Sequence, residues 1–523
     1  MHFGGACQKT DLAFLPATQT CSQRWMQSVS ARHVVMAAFP ILLSACSCAP
    51  GVPVTGQNAE APTLHGTQSE TAVASAMVDG RKTIVVTYND DTDDPKIQYS
   101  ANDRVVFPGA SLFGWSYSID DGATWTYGGK LRPPRGFDAL WGDPAIIASR
   151  TSYNRVYMSS LAIGAGKLSP TGHHGFMDDG SITGACIARS DDGGIHFAIQ
   201  SCPSADGDFY DGASLAAAGT ATDHRVFAAY VDVPKRRIDV WQSPDGLAPF
   251  QPLANPFPGR LMHSHPRLVY DDETGALVVA AIDETDQKVY LNRLVGNQWQ
   301  SPVKASQPVS RVEIPVGGQT IRTASGFSFD IGAASFVISE EDGSVRYFND
   351  AIRLLYTTRD SQTLRLYVRG TGCARDLSAC DDTPQWGTTP GNLNTPRNQW
   401  NPTVRAWRGF IGLPPIWKAT YQTTDDDPGR VSIKQGTLAR IPNGTAIFLP
   451  FPLIGPRIVC PDFRNGSPGM AKFGYWGDYD EPALVGFNGS QPRFMLAFSD
   501  SSKGCVSQWK FTSNNLHVSA VEY

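Results

Sequence analysis

Charge is scarce in this chain, and neither sign dominates. Charged residues make up 18% of its 523 positions, and the formal net charge is -5. There is no clustered basic face of the kind that nucleic acid requires. Long apolar runs are also lacking. The run from Val34 to Leu43 is too short to cross a bilayer comfortably. No Cys-x-x-Cys pair or His–Cys cluster with zinc-binding spacing occurs. Gly-x-Ser-x-Gly and His-Glu-x-x-His are absent, which removes the serine-hydrolase elbow and the zinc-protease helix. Glycine and proline are plentiful, at 50 and 37 residues. That supply suits many short strands joined by turns.

The first 45 residues read as an export signal rather than as fold. Arg24, Arg32 and His33 precede the apolar run, and small residues follow it. Leu43-Ser44-Ala45-Cys46 resembles the lipobox of bacterial lipoproteins, which implies a lipidated Cys46 as the first mature residue. The alternative is an ordinary cut near Ala45 or Ala49. Residues before Met26 look unlike a signal and point to a start assigned too early. Residues 46–66 suit a flexible tether, and 67–523 a single domain of β-strands. Six of the ten cysteines fall in that domain, and an even number in an exported chain reads as disulfides. Proximity suggests 186–202, 373–380 and 460–505, one of 15 pairings.

One stretch organises the rest. Ser118-Ile119-Asp120-Asp121-Gly122-Ala123-Thr124-Trp125 reads S-x-D-x-G-x-T-W: a tight turn tied by Ser and Asp side chains, with a large apolar anchor behind it. Ser190, Asp192, Gly194 and Phe197 repeat it, with His196 in the Thr position. Ser243, Asp245 and Phe250 form a weaker third copy, with Leu247 where Gly belongs. These are Asp boxes by pattern, and the chain resembles the Asp-box (BNR-repeat) β-propellers, the superfamily that includes the sialidases. The resemblance implies an all-β propeller whose Asp boxes are structural. It carries fold more than chemistry.

Seven units follow, each opening on a short apolar strand: Thr71–Val78, Pro144–Ala148, Ala213–Ala218, Pro266–Tyr270, Ala333–Ser339, Pro402–Trp407 and Pro482–Gly486. The fifth is weak, so six blades plus an insertion is the alternative. The third strand of unit seven is read at Val506–Phe511. Units one and six share an acidic turn, Asp93-Asp94-Pro95 and Asp426-Asp427-Pro428. It reads as a solvated strand terminator, with a Ca²⁺ loop as the alternative.

Ligands of propellers meet the mouth of the central channel, where the innermost strands begin. A polar residue stands just before most first strands: Glu70, Asp143, Asp211, His265, Asp330, Asn401, and Asp478 to Glu481. Several neighbour Trp or Tyr, and carboxylates beside flat aromatic faces are what a sugar site needs. The plainer reading is that Asp or Asn before Pro or Gly simply starts a strand. The resemblance to sialidases implies an Arg-Ile-Pro before the first Asp box, two further arginines, a Tyr–Glu pair and an acid/base Asp. The chain departs from this: Arg440-Ile441-Pro442 lies after all three boxes, and Arg132 and Arg135 are poor substitutes. The residues read as catalytic are Asp143, Asp211, Tyr479 and Glu481. Those read as ligand-binding are Glu70, His265, Arg267, Asp330, Arg353, Asn401 and Asp478. His263 and His265, two apart in a strand, would share a face and could join Asp143 or Asp211 around a metal. The favoured reading has no metal and no cofactor. The expected partners are a carbohydrate or glycoconjugate and, through the anchor, a membrane of the bacterial envelope; nucleic acid is not expected. Hydrolysis of a glycan competes here with glycan binding and with protein scaffolding.

Overall fold

The computed structural model describes residues 52–54, 68–90, 94–100, 103–149, 154–174, 182–203, 209–219, 222–316, 319–322, 328–333, 352–359, 361, 364–381, 398–407, 416–424, 429–440, 446–457, 473–474, 480–488, 491–500 and 517–523. Every regular element among them is a strand. Among these residues seven sheets, antiparallel apart from one short strand added to the first, form the blades of a seven-bladed β-propeller, and two three-stranded sheets lie outside them. The innermost strands of blades one to seven are Gln68–Val78, Phe137–Ala148, Tyr210–Ala217, Met262–Asp271, Phe329–Ala333, Gln399–Trp407 and Ala483–Asn488.

Blade three shows why such sequences make blades. Its second strand, Val226–Asp232, is buried throughout. Successive side chains of a strand point to opposite faces. Val226, Ala228 and Tyr230 accordingly pack with Ile163 and Ile187 of blade two. Phe227, Ala229 and Val231 pack with Leu277 and Val279 of blade four. Both faces are covered by a neighbouring blade, so central strands are apolar runs rather than alternating ones.

The Ser–Asp turns are tied as their residue types dictate. The Gly122 amide donates to Ser118 Oγ at 2.8 Å, and the Thr124 amide to Asp120 Oδ1 at 2.9 Å. In the second copy the Gly194 amide donates to Ser190 Oγ at 2.7 Å and the His196 amide to Asp192 Oδ1 at 3.0 Å. Gly194 has φ +94°, and a Cβ there would lie 2.2 Å from Val85 of blade one, so a side chain has neither conformation nor room. Trp125 is 6% exposed, and Phe197 meets Trp115 edge-on with ring centroids 5.5 Å apart. In the third copy Ser243 Oγ donates to Ala248 O, and the Leu247 and Ala248 amides donate to Asp245.

Several boundaries differ from the sequence expectation. The first strands of blades one, two, three, four and six begin three to seven residues earlier than read, because they run through the polar residues and the Pro or Gly steps taken as strand starts. Blade five opens at Phe329, not Ala333. Blade seven takes His517–Glu522 as its third strand. Val506–Phe511, read for that role, lies outside the described residues. Val52–Pro53, read as tether, pairs with Ser519 and Ala520 as the outer strand of blade seven, and Val54 is fully buried. The ring is thus joined by strands from both parts of the sequence. Cys186–Cys202 and Cys373–Cys380 are disulfides. Cys46, Cys460 and Cys505 lie outside the described residues. Asp94 of the first acidic turn is buried and accepts from the Ser111 amide and from Arg132, so this carboxylate closes a loop. The matching turn at 426–428 is outside the described residues.

Candidate functional site

The innermost strands carry a shared irregularity at the channel. In blade one, Ser69 pairs with Asn89 and Ala72 with Thr87, so Glu70 and Thr71 together face one residue, Tyr88. Asp143-Pro144, Gly212-Ala213 and Asn401-Pro402 bulge in the same way against Ser160, Tyr230 and Tyr421. The first residue of each bulge is left-handed: φ is +54° at Glu70, +50° at Asp143, +58° at Gly212 and +46° at Asn401. Asp, Asn and Gly adopt this conformation at the smallest cost, and Pro is admitted because the ladder is already interrupted. Blade four differs. Ser264, with φ +72°, is followed by His265 and Pro266, and all three face Ala281.

These bulges turn polar side chains toward one another across blades. The Asn89 amide donates to Glu70 Oε2, and its carbonyl accepts the Asp143 amide at 2.9 Å. Gly212 donates its amide to Asp211 Oδ1 at 3.0 Å and to Asp143 Oδ2 at 3.3 Å. His265 Nε2 stands 3.4 Å from Asp211 Oδ1 and 4.0 Å from Asp143 Oδ2. Blades one to four thus contribute Glu70, Asp143, Asp211 and His265 to one cluster. Burial, and next the Asp211 charge, push the Asp143 carboxyl up to about 6, while His265 and Glu70 pull it back in part. Burial opposes ionisation of Asp211 too. The positive charge and hydrogen bond of His265, the Asp143 hydroxyl and the Gly212 amide outweigh it and hold Asp211 down to about 2. Two touching carboxyls therefore share one proton over a wide pH range.

The other side of the channel is a ring of alternating charge. Arg267 Nη1 donates to Glu481 Oε1 at 2.7 Å, and Arg405 Nη1 to Asp330 Oδ2 at 2.6 Å. Arg405 lies 3.9 Å from Glu481, and Arg267 4.0 Å from Asp330, which closes the ring. Glu481 leads into blade seven, as the sequence suggested, and it also lies on a two-residue strand added parallel to the inner edge of blade one, where Ala72 pairs with Glu481. Arg353 lies over the Trp417 ring at 5.7 Å. Burial raises the nearby Tyr523 phenol, Arg405 opposing and Asp330 adding to it.

The structure therefore gathers Glu70, Asp143, Asp211 and His265 into one group and Arg267, Asp330 and Glu481 into a second. Asn401 is 7% exposed in the bulge of blade six, and neither polar atom of its carboxamide has a hydrogen-bond partner among the described residues. Asp478 and Tyr479 lie outside the described residues. Three expectations need correction. The aromatic neighbours do not line the channel: Trp141, Tyr210 and Trp400 are 6%, 0% and 1% exposed in the blade cores. His263 and His265 do not share a face, because the left-handed Ser264 breaks the strand alternation; His263 is half-buried near Gln287, and that burial lowers its pKa. Arg132, considered for a substrate clamp, is bound to Asp94. Asn89, Gly212 and Arg405 were missed. Asn89 lies on a second strand, where no pattern marked it. Gly212 was read only as a strand start. Arg405 follows Asn401-Pro402 in the run taken as core.

The polar atoms of Asp143, Asp211 and His265 lie within 4.8 Å of one another. Two carboxylates and an imidazole are a donor set that a divalent ion accepts. The direct Asp143–Asp211 contact means that the same atoms serve a proton equally well.

No protein-family model matches the sequence, and no curated protein matches it. Several solved propellers resemble the chain. A fungal lectin from Aleuria aurantia, described as a six-bladed propeller that recognises fucose, is 11% identical over 75% of this chain and 98% of the lectin, with a TM-score of 0.35. A Hadza microbial sialidase is 12% identical over 74% of this chain and 66% of its own, also at 0.35. A GH43_1 enzyme from Xanthomonas citri, complexed with xylose, is 9% identical over 76% of this chain and 93% of its own, at 0.29. At such scores they add nothing to the chemistry of the site.

Proposed function

We propose that this chain acts on glycans at its central channel, as a glycoside hydrolase in which Asp143 supplies the proton. The observation that carries the reading is the partly buried Asp143 carboxyl, pushed up to about 6 beside an Asp211 held down to about 2. A general acid needs a pKa near the working pH, and one carboxyl of a touching pair is kept protonated by the other. Asp143 donates its proton to the departing glycosidic oxygen as the bond from the anomeric carbon breaks. Water supplies the new oxygen to that carbon. Glu481, ion-paired to Arg267, is the second carboxylate available to take the proton of that water or to face the developing positive charge. Asp211 and His265 act on Asp143 rather than on the sugar. The Asn401 carboxamide offers a donor and an acceptor to a sugar hydroxyl or amide. The signal-like start and Leu43-Ser44-Ala45-Cys46 support export with a lipid on Cys46 and a place on the bacterial envelope.

A second reading, glycan binding without turnover, has its own support. The catalytic carboxyls of glycosidases stand about 5–5.5 or 6.5–9.5 Å apart across the bond they cut. Asp143 and Asp211 touch and so cannot flank such a bond as a pair, and Arg267 and Arg405, the cations of the channel ring, are neutralised by Glu481 and Asp330. The test is hydrolysis of a fluorogenic glycoside panel, a sialoside included, by the purified full chain and by Asp143→Asn, Asp211→Asn and Glu481→Gln. Cleavage of one sugar that collapses in Asp143→Asn supports hydrolysis. A flat panel from a folded protein, with glycan-array binding lost in Asn401→Gly, supports the second reading.

A further inference from the structure

We propose that Gly212 is a positioning residue, the seat on which the longer bulge of blade four places His265 against the two carboxylates. This rests on the reading of Asp143 and Asp211 as the proton-transfer pair. Three independent observations meet at this point. First, blades one, two, three and six each bulge by one extra residue, whereas blade four has two, Ser264, His265 and Pro266 facing Ala281 alone. Removing His265 would leave Ser264-Pro266, the same left-handed residue plus proline found as Asp143-Pro144 and Asn401-Pro402. The imidazole is what the added residue brings.

Second, the left-handed position of the bulge carries a side chain in blades one, two, four and six, but none in blade three. An ideal Cβ on Gly212 would lie 2.3 Å from Cδ2 and Cγ of His265 and 2.6 Å from its Cβ. The ring therefore lies directly on the bare Cα. Real Cβ atoms do not approach that closely, and the ring, with its own backbone held in the bulge, has to leave its place if one is added. Third, the Gly212 amide donates to both Asp211 and Asp143. One residue thus fixes the two carboxyls through its N–H and the imidazole through its missing side chain. The imidazole is thereby held 3.4 Å from Asp211 and 4.0 Å from Asp143.

The test is a double-mutant cycle on the full chain: Gly212→Ala, His265→Ala and the pair. It is followed by thermal melting at neutral pH and by the pH–rate profile on a fluorogenic glycoside that the wild type cleaves. Gly212→Ala is expected to lower the melting temperature, and more than half of that loss is expected to vanish in the His265→Ala background. Its kcat should fall at least tenfold with KM within twofold, its pH–rate profile should follow that of His265→Ala, and the double variant should be no slower than His265→Ala. Additive melting losses would overturn the proposal, as would a Gly212→Ala enzyme with wild-type kcat and pH profile. If Gly212→Ala does not fold alone, the same substitution is made in a chain lacking His265. Recovered folding supports the seat, and continued failure overturns it. If the wild type cleaves no glycoside, the hydrolase reading fails, and the melting cycle alone decides this one.

Discussion

Neutralising a carboxylate is expected to stabilise this protein, and only above a definite pH. The perturbation is Asp143→Asn. Asp143 is ordinary near 3.8 and raised to about 6 in the fold, because burial and the Asp211 charge disfavour its ionised form. The sign follows. Below 3.8 the group is protonated whether the chain is folded or not, and its contribution is complete. Between 3.8 and 6 the unfolded chain releases its proton first, so stability falls as pH rises, and above about 6 the whole loss is in place. The rise corresponds to roughly 3 kcal/mol. Asp211 runs the other way: held down to about 2, it contributes above 3.8 and loses that contribution as pH falls toward 2. Asparagine keeps the shape of protonated Asp143, including a donor toward Asp211, and cannot ionise. Relative to its offset near pH 4, Asp143→Asn should therefore gain on the wild type as pH rises to 8, by as much as about 3 kcal/mol. For a chain of this length that is roughly 3 °C in melting temperature. Thermal melts of both proteins at half-unit pH steps give the difference curve. A curve flat between pH 4 and 8, or one falling with pH, would refute the coupled pair.

Other perturbations probe the rest of the channel and the frame that holds it. Glu481→Gln removes the negative partner from Arg267, which is 9% exposed, and should cost about 3–5 kcal/mol in denaturant unfolding; a near-neutral change would mean that the ring is not formed. Trp125→Ala should cost roughly 3–5 kcal/mol, as for a well-buried aromatic, and a near-neutral melt would count against the anchored turn. Replacing Cys186 and Cys202 together by Ser opens a loop of 16 residues and should lower stability by about 3 kcal/mol, seen as a lower denaturant midpoint that reductant no longer moves. Asn401→Gly keeps the left-handed backbone and removes a buried carboxamide with no partner among the described residues, so its melting temperature should not fall; a clear loss would give that amide a structural role instead.

Fold was far more legible than site, for a physical reason. The propeller repeats a unit whose signals are local: a strand of Val, Ile and Ala, a turn of Ser, Asp and Gly, and an aromatic behind it. Ser118 and Ser190 announce their turns from residues within four positions, and the hydrogen bonds are made within those positions. The site is assembled across blades, where sequence distance says nothing. Asp143 meets Asp211 over 68 residues, and Arg267 meets Glu481 over 214. What could be read was the recurring polar residue just before most first strands, which placed Glu70, Asp143, Asp211, His265, Asp330 and Asn401 near the channel. The bulge that makes those positions equivalent could not be read. A left-handed residue followed by proline looks like a strand start until the pairing on both sides is known, so the inner strands were begun too late. The same error put His263 and His265 on one face, and aligned Asp211 with Asp143 although Gly212 holds that place. The aromatics misled because a Trp two residues before an acid is equally good blade core, and Trp141 is that.

The most direct measurement is the pH dependence of kcat/KM for the full chain on the glycoside it cleaves best, taken from pH 4 to 8 beside Asp143→Asn. If Asp143 supplies the proton, the rate falls tenfold per pH unit above about pH 6, and the variant loses both that limb and most of the rate. A profile flat across that range, or an Asp143→Asn variant with the wild-type rate and limb, would contradict the account.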